Sequence, residues 1–255
     1  MSPRARRLLP RSKRVRAGLA GALALLIAAA VLGGYEYEHH RTGNIYHPHA
    51  RFIAQPTPTL PAAGPERFAW PLYGYDREHT RFFPAPPRVH PPFKRLWAHD
   101  RNSLLEFPPV IYGARIFQLP DDATLIATNK RTGRTLWTRR LGQTSASAPA
   151  VTADTVYATI LESGHHRSPG RVVALNAATG AIRWFRSLPA PSESSPLLAD
   201  GKLFFGTQSG LVYALDARSG RVVWTYRAPG SVKASPSLAD GLLYFGDYSG
   251  HVQAI

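Results

Sequence analysis

Four tryptophans, Trp97, Trp137, Trp184 and Trp224, follow one another at intervals of 40, 47 and 40 residues. Twelve residues after each stands a proline (Pro109, Pro149, Pro196, Pro236), and seven residues further an aliphatic side chain (Ile116, Val156, Leu203, Leu243). The longer middle interval has a visible source, the loop LESGHHRSPG (161–170) where the next unit has the shorter GTQSG (206–210). A period of this length marks a repeat architecture, in which each unit buries its apolar face against its neighbours.

Each unit reads as four short strands. In the third, SSPLLAD leads through Asp200-Gly201 into KLFFGT, and Asp240-Gly241 repeats the step before LLYFGD. Asp-Gly between two β-rich runs is a hairpin signal. LVYAL (211–215) then alternates, turns through DARSG (216–220) and returns as RVVWTY (221–226). Asp216 is placed to accept hydrogen bonds from the turn's backbone N–H groups, and Gly220 to take a positive φ. Asn129 with Gly133, and Asn176 with Gly180, occupy the same places. No stretch beyond residue 35 sustains a helical period. The expected fold is therefore all-β, a β-propeller of four-stranded blades, with each Trp buried between neighbouring blades and its indole N–H in need of a partner.

The stretches Ala127-x-Asn129-x-x-Thr132-Gly133-x-x-x-Trp137, Ala174-x-Asn176-x-x-Thr179-Gly180-x-x-x-Trp184 and Ala214-x-Asp216-x-x-Ser219-Gly220-x-x-x-Trp224 resemble the tryptophan-docking motif of pyrroloquinoline-quinone (PQQ)-type repeats. In that family the motif locks adjacent blades together. The resemblance covers about residues 69–255. Trp70-Pro-Leu-Tyr-Gly-Tyr-Asp76, with Thr80-Arg81 and Leu96-Trp97 after a Pro-rich run, also resembles the first strand of such propellers. The structural repeat residues are Trp97, Trp137, Trp184, Trp224, Gly133, Gly180, Gly220, Asn129, Asn176 and Asp216.

The resemblance implies one of two functional classes. Quinoprotein dehydrogenases oxidise alcohols or sugars with PQQ and calcium, and need oxygen ligands for a hard cation and a base beside the quinone. The other class is non-catalytic and binds protein, as do propellers resembling the outer-membrane-protein assembly factor BamB. Here Asp200, Asp216 and Asp240 are accounted for by turns, and no acid–base or nucleophile constellation recurs at one locus. Asp121-Asp122 reads as a solvated hairpin tip, although the pair has the chemistry to chelate a cation. The chain has no cysteine, so there is no vicinal pair to lie over a quinone and no lipid-anchored thiol. His165-His166 sits in the insertion, where partners bind. The expectation is a protein-binding scaffold without catalytic, cofactor-binding or metal-binding residues; the alternative is a PQQ- and calcium-dependent dehydrogenase or a fragment of one.

The formal net charge is +15, and seven basic residues fall within the first sixteen, with no acid before Glu36. An uncharged run, AGLAGALALLIAAAVLGG (17–34), follows at once. That order speaks for a membrane segment and against a nucleic-acid binder. As a helix the run spans about 27 Å, close to a hydrocarbon core of about 30 Å. A cleaved signal peptide with Ala28-Ala29-Ala30 at its end competes, but the run exceeds the usual h-region. The expected layout is a basic cytoplasmic segment (1–16), a single transmembrane anchor (17–35), a Pro-rich stalk (36–68) and an extracytoplasmic propeller (69–255). The stalk histidines His39, His40, His47 and His49 match no closed zinc pattern.

Residues 94–255 hold one outer strand near Leu96-Trp97, three full blades and three strands of a fourth. Two arrangements follow: the Trp97 strand completes the fourth blade and closes a four-bladed ring, or the blades form an open arc of a larger ring, cut short. Blades of this resemblance are shaped for a wider ring, so the open arc is expected. Pairing of Leu96-Trp97 with His251–Ile255 would mark the closed ring.

Overall fold

Asp200 and Gly201 take φ of 48° and 70°, and Asp240 and Gly241 take 50° and 79°. Both central positions of these two-residue hairpins are thus left-handed, the geometry whose twist matches that of the flanking strands. They belong to a computed structural model that describes residues 23–34, 68–83, 91–162, 164 and 169–255.

Fifteen strands run through the described residues, in four antiparallel sheets. The first contains β1 (Val110–Tyr112), β2 (Arg115–Gln118), β3 (Thr124–Asn129) and β4 (Thr135–Arg140). The second contains β5 (Ala150–Val151), β6 (Thr155–Ile160), β7 (Gly170–Asn176) and β8 (Ile182–Leu188). The third contains β9 (Leu197–Ala199), β10 (Lys202–Gly206), β11 (Leu211–Asp216) and β12 (Val222–Arg227). The fourth has three strands, β13 (Ser237–Ala239), β14 (Leu242–Gly246) and β15 (Val252–Ala254). Each sheet is a meander in chain order, the plan of a propeller blade.

The third and fourth strands of each complete blade share one register. Ala127 pairs with Trp137, Ala174 with Trp184 and Ala214 with Trp224, and in each case the register shifts immediately afterwards. A bulge at that point bends the outer strand and raises its twist. The apolar core lies between blades, not within them. Phe117, Leu125 and Leu141 of the first blade pack with Val156, Ile160 and Leu175 of the second. Tyr157, Val172 and Leu188 pack with Leu203, Phe205 and Leu215 of the third.

The lead-in segment is not a strand. Residues 72–78 are bends and turns, and of this segment only Trp70 forms a β-bridge, to Ile111. The segment instead ties inner strands together. Trp70 and Ile111 exchange two backbone hydrogen bonds of 2.8 Å, Val151 N–H donates to Pro71 O, and Leu238 N–H donates to Arg77 O. Leu72 is buried with Ala150, Leu197 and Leu238. The outer strand expected at Leu96-Trp97 is also absent: residues 93–101 carry no strand, β15 pairs with β14 alone, and Leu96 is exposed. A strand needs a neighbouring backbone, and no described strand runs beside this segment. The tryptophans are half-buried, not buried, because each lies at the outer margin of its interface.

The chain divides into two units, Met1–Pro58 and Thr59–Ile255. In the first the described residues form a helix over 23–34, exposed throughout. Among the described residues no helix is long and apolar enough to cross a membrane. Residues 17–22 and 35 of the expected anchor, the basic segment, the stalk up to residue 67 with its histidines, and His165-His166 lie outside the described residues.

Candidate functional site

The repeat residues build three copies of one joint. The Trp137 indole N–H donates to Ala177 O at 3.2 Å, that of Trp184 to Ala217 O at 3.1 Å, and that of Trp97 to Lys130 O at 3.0 Å. The acceptor is always in the turn between the third and fourth strands of the following blade. That turn is set by a side chain at its start. Asn129 Oδ1 accepts from the N–H groups of Arg131 and Thr132, and Asn176 Oδ1 from those of Ala178 and Thr179. Asp216 Oδ1 accepts from the Ser219 N–H at 2.8 Å and the Ser219 hydroxyl at 2.6 Å. The Ser219 hydroxyl and N–H hold the Asp216 carboxyl below its ordinary range. Each turn ends on a glycine at φ near +70°, namely Gly133, Gly180 and Gly220, against which the incoming indole lies.

A second contact closes each joint. Two residues after Trp137 and Trp184, Arg139 Nε donates to Gly180 O at 3.1 Å and Arg186 Nε to Gly220 O at 2.8 Å. His99 Nε2 bonds Gly133 O in the same place after Trp97. Only the constant offset from the tryptophan signals this clamp, since arginine is ordinary on an outer strand. Trp224 differs. Its neighbour Tyr226 donates to Gln253 Oε1 at 2.8 Å, and its ring lines a cavity of about 420 Å³ with Phe204, Leu238, Leu243 and Ile255.

A third set of contacts lies where each blade leads into the next. Ser147 Oγ donates to Thr159 O, the Thr159 hydroxyl to Ser194 O at 2.7 Å, and the Ser194 hydroxyl to Ala234 O at 3.0 Å. This buried chain of hydroxyls crosses three blades. Its trace in the sequence is a serine two positions before the repeated Pro149 and Pro196.

Several acids of the blades are engaged by loop backbone or by neighbouring side chains. Asp121 Oδ1 accepts from the Ser103 hydroxyl and the Leu104 N–H, and Asp122 Oδ1 from the Thr124 N–H. Asp121-Asp122 is thus a loop anchor, not a free hairpin tip. Asp154 is hydrogen-bonded by Arg183, Thr152 and Thr155, which hold its carboxyl below the ordinary range. Asp247 accepts from the Ser249 N–H and from Gln253 Nε2. Glu193 meets Lys233 at 3.0 Å across two blades, and that ammonium lies 5.0 Å from the centre of the Tyr248 ring. Among the described residues no three His, Cys, Asp or Glu converge as a metal site. A carboxylate that accepts two or three N–H or O–H bonds is a weak base and has few lone pairs left for a cation.

A family model described as outer membrane protein assembly factor BamB matches residues 94–164 and 168–255. No curated protein matches the chain. Quinohemoprotein alcohol dehydrogenase from Comamonas testosteroni superposes with a TM-score of 0.59 at 18% identity, over 70% of this chain and 35% of that one. The computationally designed Ika4 protein superposes at 0.55 with 14% identity, over 64% of this chain and 98% of that one. BamB from Moraxella catarrhalis is 24% identical, with a TM-score of 0.48, over 56% of this chain and 43% of that one. The chain spans less than half the length of BamB and of the dehydrogenase, and at these identities the likeness is one of fold.

Proposed function

The chain belongs to the family of the outer membrane protein assembly factor BamB, and on that footing we propose that it is a non-catalytic, protein-binding propeller of the cell envelope. The observation that carries this reading is the use of the acids. Asp121, Asp122, Asp154, Asp216 and Asp247 each serve a turn or loop backbone or a neighbouring side chain. None of these five is left over as base or cation ligand for quinone chemistry. What remains accessible is a rim of strand edges and loops on a scaffold locked by three tryptophan joints, a surface suited to protein.

The N-terminal region gives the location we propose. The uncharged run of 17–34, behind seven basic residues, anchors the chain in the membrane once, with the propeller on the extracytoplasmic side. Envelope protein assembly, the work named in the family's description, is the process this scaffold serves.

Two measurements on the full chain test the reading. Added PQQ and calcium should give no bound quinone spectrum and no dye-linked oxidation of alcohols or sugars; turnover would place the chain with the dehydrogenases. Photo-crosslinking from rim positions in native envelopes should capture a discrete protein partner, and a rim that captures none argues against a scaffold.

A further inference from the structure

The positive charge of the propeller is concentrated on its outside. Within 94–255 the three outer hairpins (129–140, 176–188 and 216–227) hold ten Lys or Arg and one acid, Asp216, whereas the remaining residues hold eight Lys or Arg and ten acids. The first hairpin is the extreme case, with Lys130, Arg131, Arg134, Arg139 and Arg140 and no acid at all. Among the described residues none of these five is ion-paired, and all but Lys130 are exposed. Arg139 and Arg140 each commit only Nε, to Gly180 O and Gly142 O, both at 3.1 Å. Among the described residues their terminal N–H groups have no hydrogen-bond partner. Strand β4 is also the edge of its sheet, paired with β3 alone. Half of its backbone N–H and C=O groups therefore point outward without a strand to receive them.

We propose that the outer edge of β4 is a docking strip for an acidic, extended segment of a partner protein. The segment adds as a fifth strand, and its carboxylates meet Arg134, Arg139 and Arg140. The inference rests on the protein-binding reading above and names the chemistry of the partner. Sign decides the acid: five cations with no carboxylate partner among the described residues select an anion. Geometry decides the strand. Consecutive residues of a β-strand point to opposite faces, so Arg139 and Arg140 lie on opposite sides of the sheet. A flat anionic membrane meets one of them, whereas a strand laid along the edge offers side chains to both. Edge pairing supplies main-chain hydrogen bonds and leaves selectivity to the side chains. The same arginines repel a second basic edge, so the strip refuses copies of itself.

The test uses the full chain in neutral-lipid nanodiscs. The probe is a fluorescent peptide of about ten residues alternating glutamate with threonine and valine. Its backbone N-methylated form, vesicles containing phosphatidylglycerol and a DNA duplex are titrated alongside. The peptide should bind, less tightly as salt rises. Its affinity should fall about tenfold or more in R134E/R140E. N-methylation should cost about tenfold, because it keeps the charge and removes the main-chain donors. R218E/R221E, on the third hairpin, should change affinity by less than about twofold. Binding that ignores R134E/R140E, binding retained by the N-methylated peptide, or capture of vesicles or duplex without the peptide would each overturn the strip. If R134E/R140E does not fold, R134Q/R140Q makes the same comparison. A silent peptide with crosslinking intact at other faces rejects the strip and keeps the scaffold; quinone-dependent turnover rejects both.

Discussion

A Cβ placed on Gly220 would lie 2.6 Å from Cε3 of Trp184. Gly180 stands in the same relation to Trp137, and Gly133 to Trp97, each at 2.7 Å. The glycine of each docking turn therefore meets two demands at once. Its φ of about +70° is strained for any residue with a side chain, and its bare α-carbon is the floor on which the neighbouring indole rests. Gly220→Val should cost at least about 1–2 kcal/mol from the backbone alone, and more because the indole is displaced. Thermal unfolding of Gly220→Val and Gly180→Val reads the loss, and the indole fluorescence should shift red as the ring gains water. A variant that melts with wild type would show that the indole does not rest on the turn.

The partner change is Trp184→Ala. Emptying a large aromatic site costs about 3–5 kcal/mol. Trp184 is half-buried, so about 3 kcal/mol is expected, read from denaturant unfolding at constant slope. The double variant Trp184→Ala/Gly220→Val should lose less than the two single losses together, because both act on one contact. Full additivity would separate the two residues energetically.

The blade was legible because its punctuation is local. Asp200-Gly201 needs no tertiary context to read as a hairpin, and Asn129, Asn176 and Asp216 cap turns with side chains that bond residues two or three ahead. The tryptophan interval is visible for the same reason. What lay hidden depends on partners far away in the chain. Arg139 and Arg186 look like any exposed arginine until the glycine carbonyl of the next blade is in place. Residues 94–99 have strand composition, but composition does not supply the neighbouring backbone. The lead-in segment from Trp70 to Arg77 reads as a strand and is a strap of turns, because its contacts go to three inner strands in succession.

The three docking turns should respond differently to acid. The Asp216 carboxyl lies below its ordinary value of 3.8, held first by the Ser219 hydroxyl. A folded-state value below the unfolded one means stability that is present above 3.8 and lost as pH falls through the lower value. Asn129 and Asn176 do the same work without titrating. Asp216→Asn should therefore match wild type closely at neutral pH and lose less between pH 3.8 and the lower folded-state value. Melting temperatures of the two proteins across that window make the comparison. Parallel curves would mean that the Asp216 cap does not depend on its charge.

His79 gives a second pH dependence, in the strap. Burial pushes its imidazole below the ordinary 6.5, against the attraction of Asp76 and with help from Arg81. Its ring packs edge-on against Tyr73, 5.6 Å between centroids. The unfolded chain binds the proton more readily, so stability is full above 6.5 and declines as pH falls below it, levelling off under the folded-state value. His79→Gln should flatten that limb. Hydrogen exchange at Leu238 N–H, which donates to Arg77 O, reports the strap locally, and its protection factor, the rate relative to the intrinsic rate at each pH, should fall in wild type on acidification. A protection factor that stays constant through the window would show that His79 does not set the strap's pH dependence.

Trp97 docks as Trp137 and Trp184 do, yet its own segment belongs to no sheet. Its indole N–H bonds Lys130 O, its ring lies over Gly133, and His99 bonds the Gly133 carbonyl. Arg101 adds a contact to Thr135 Oγ1 at 3.4 Å. Around Trp97 no ladder of backbone hydrogen bonds shares the load, so the side-chain contacts carry it. Trp137→Ala weakens a strand that remains paired to β3, and its cost should appear as a lower global unfolding midpoint. Trp97→Ala should act locally instead: residues 94–101 come away while the blades keep their stability. Limited proteolysis separates the cases. Cleavage near Lys94, Arg95 and Arg101 should rise steeply in Trp97→Ala with the midpoint lowered by less than about 1 kcal/mol in equivalent stability. A global loss as large as that of Trp137→Ala would show that the Trp97 segment is an integral part of the first blade's fold.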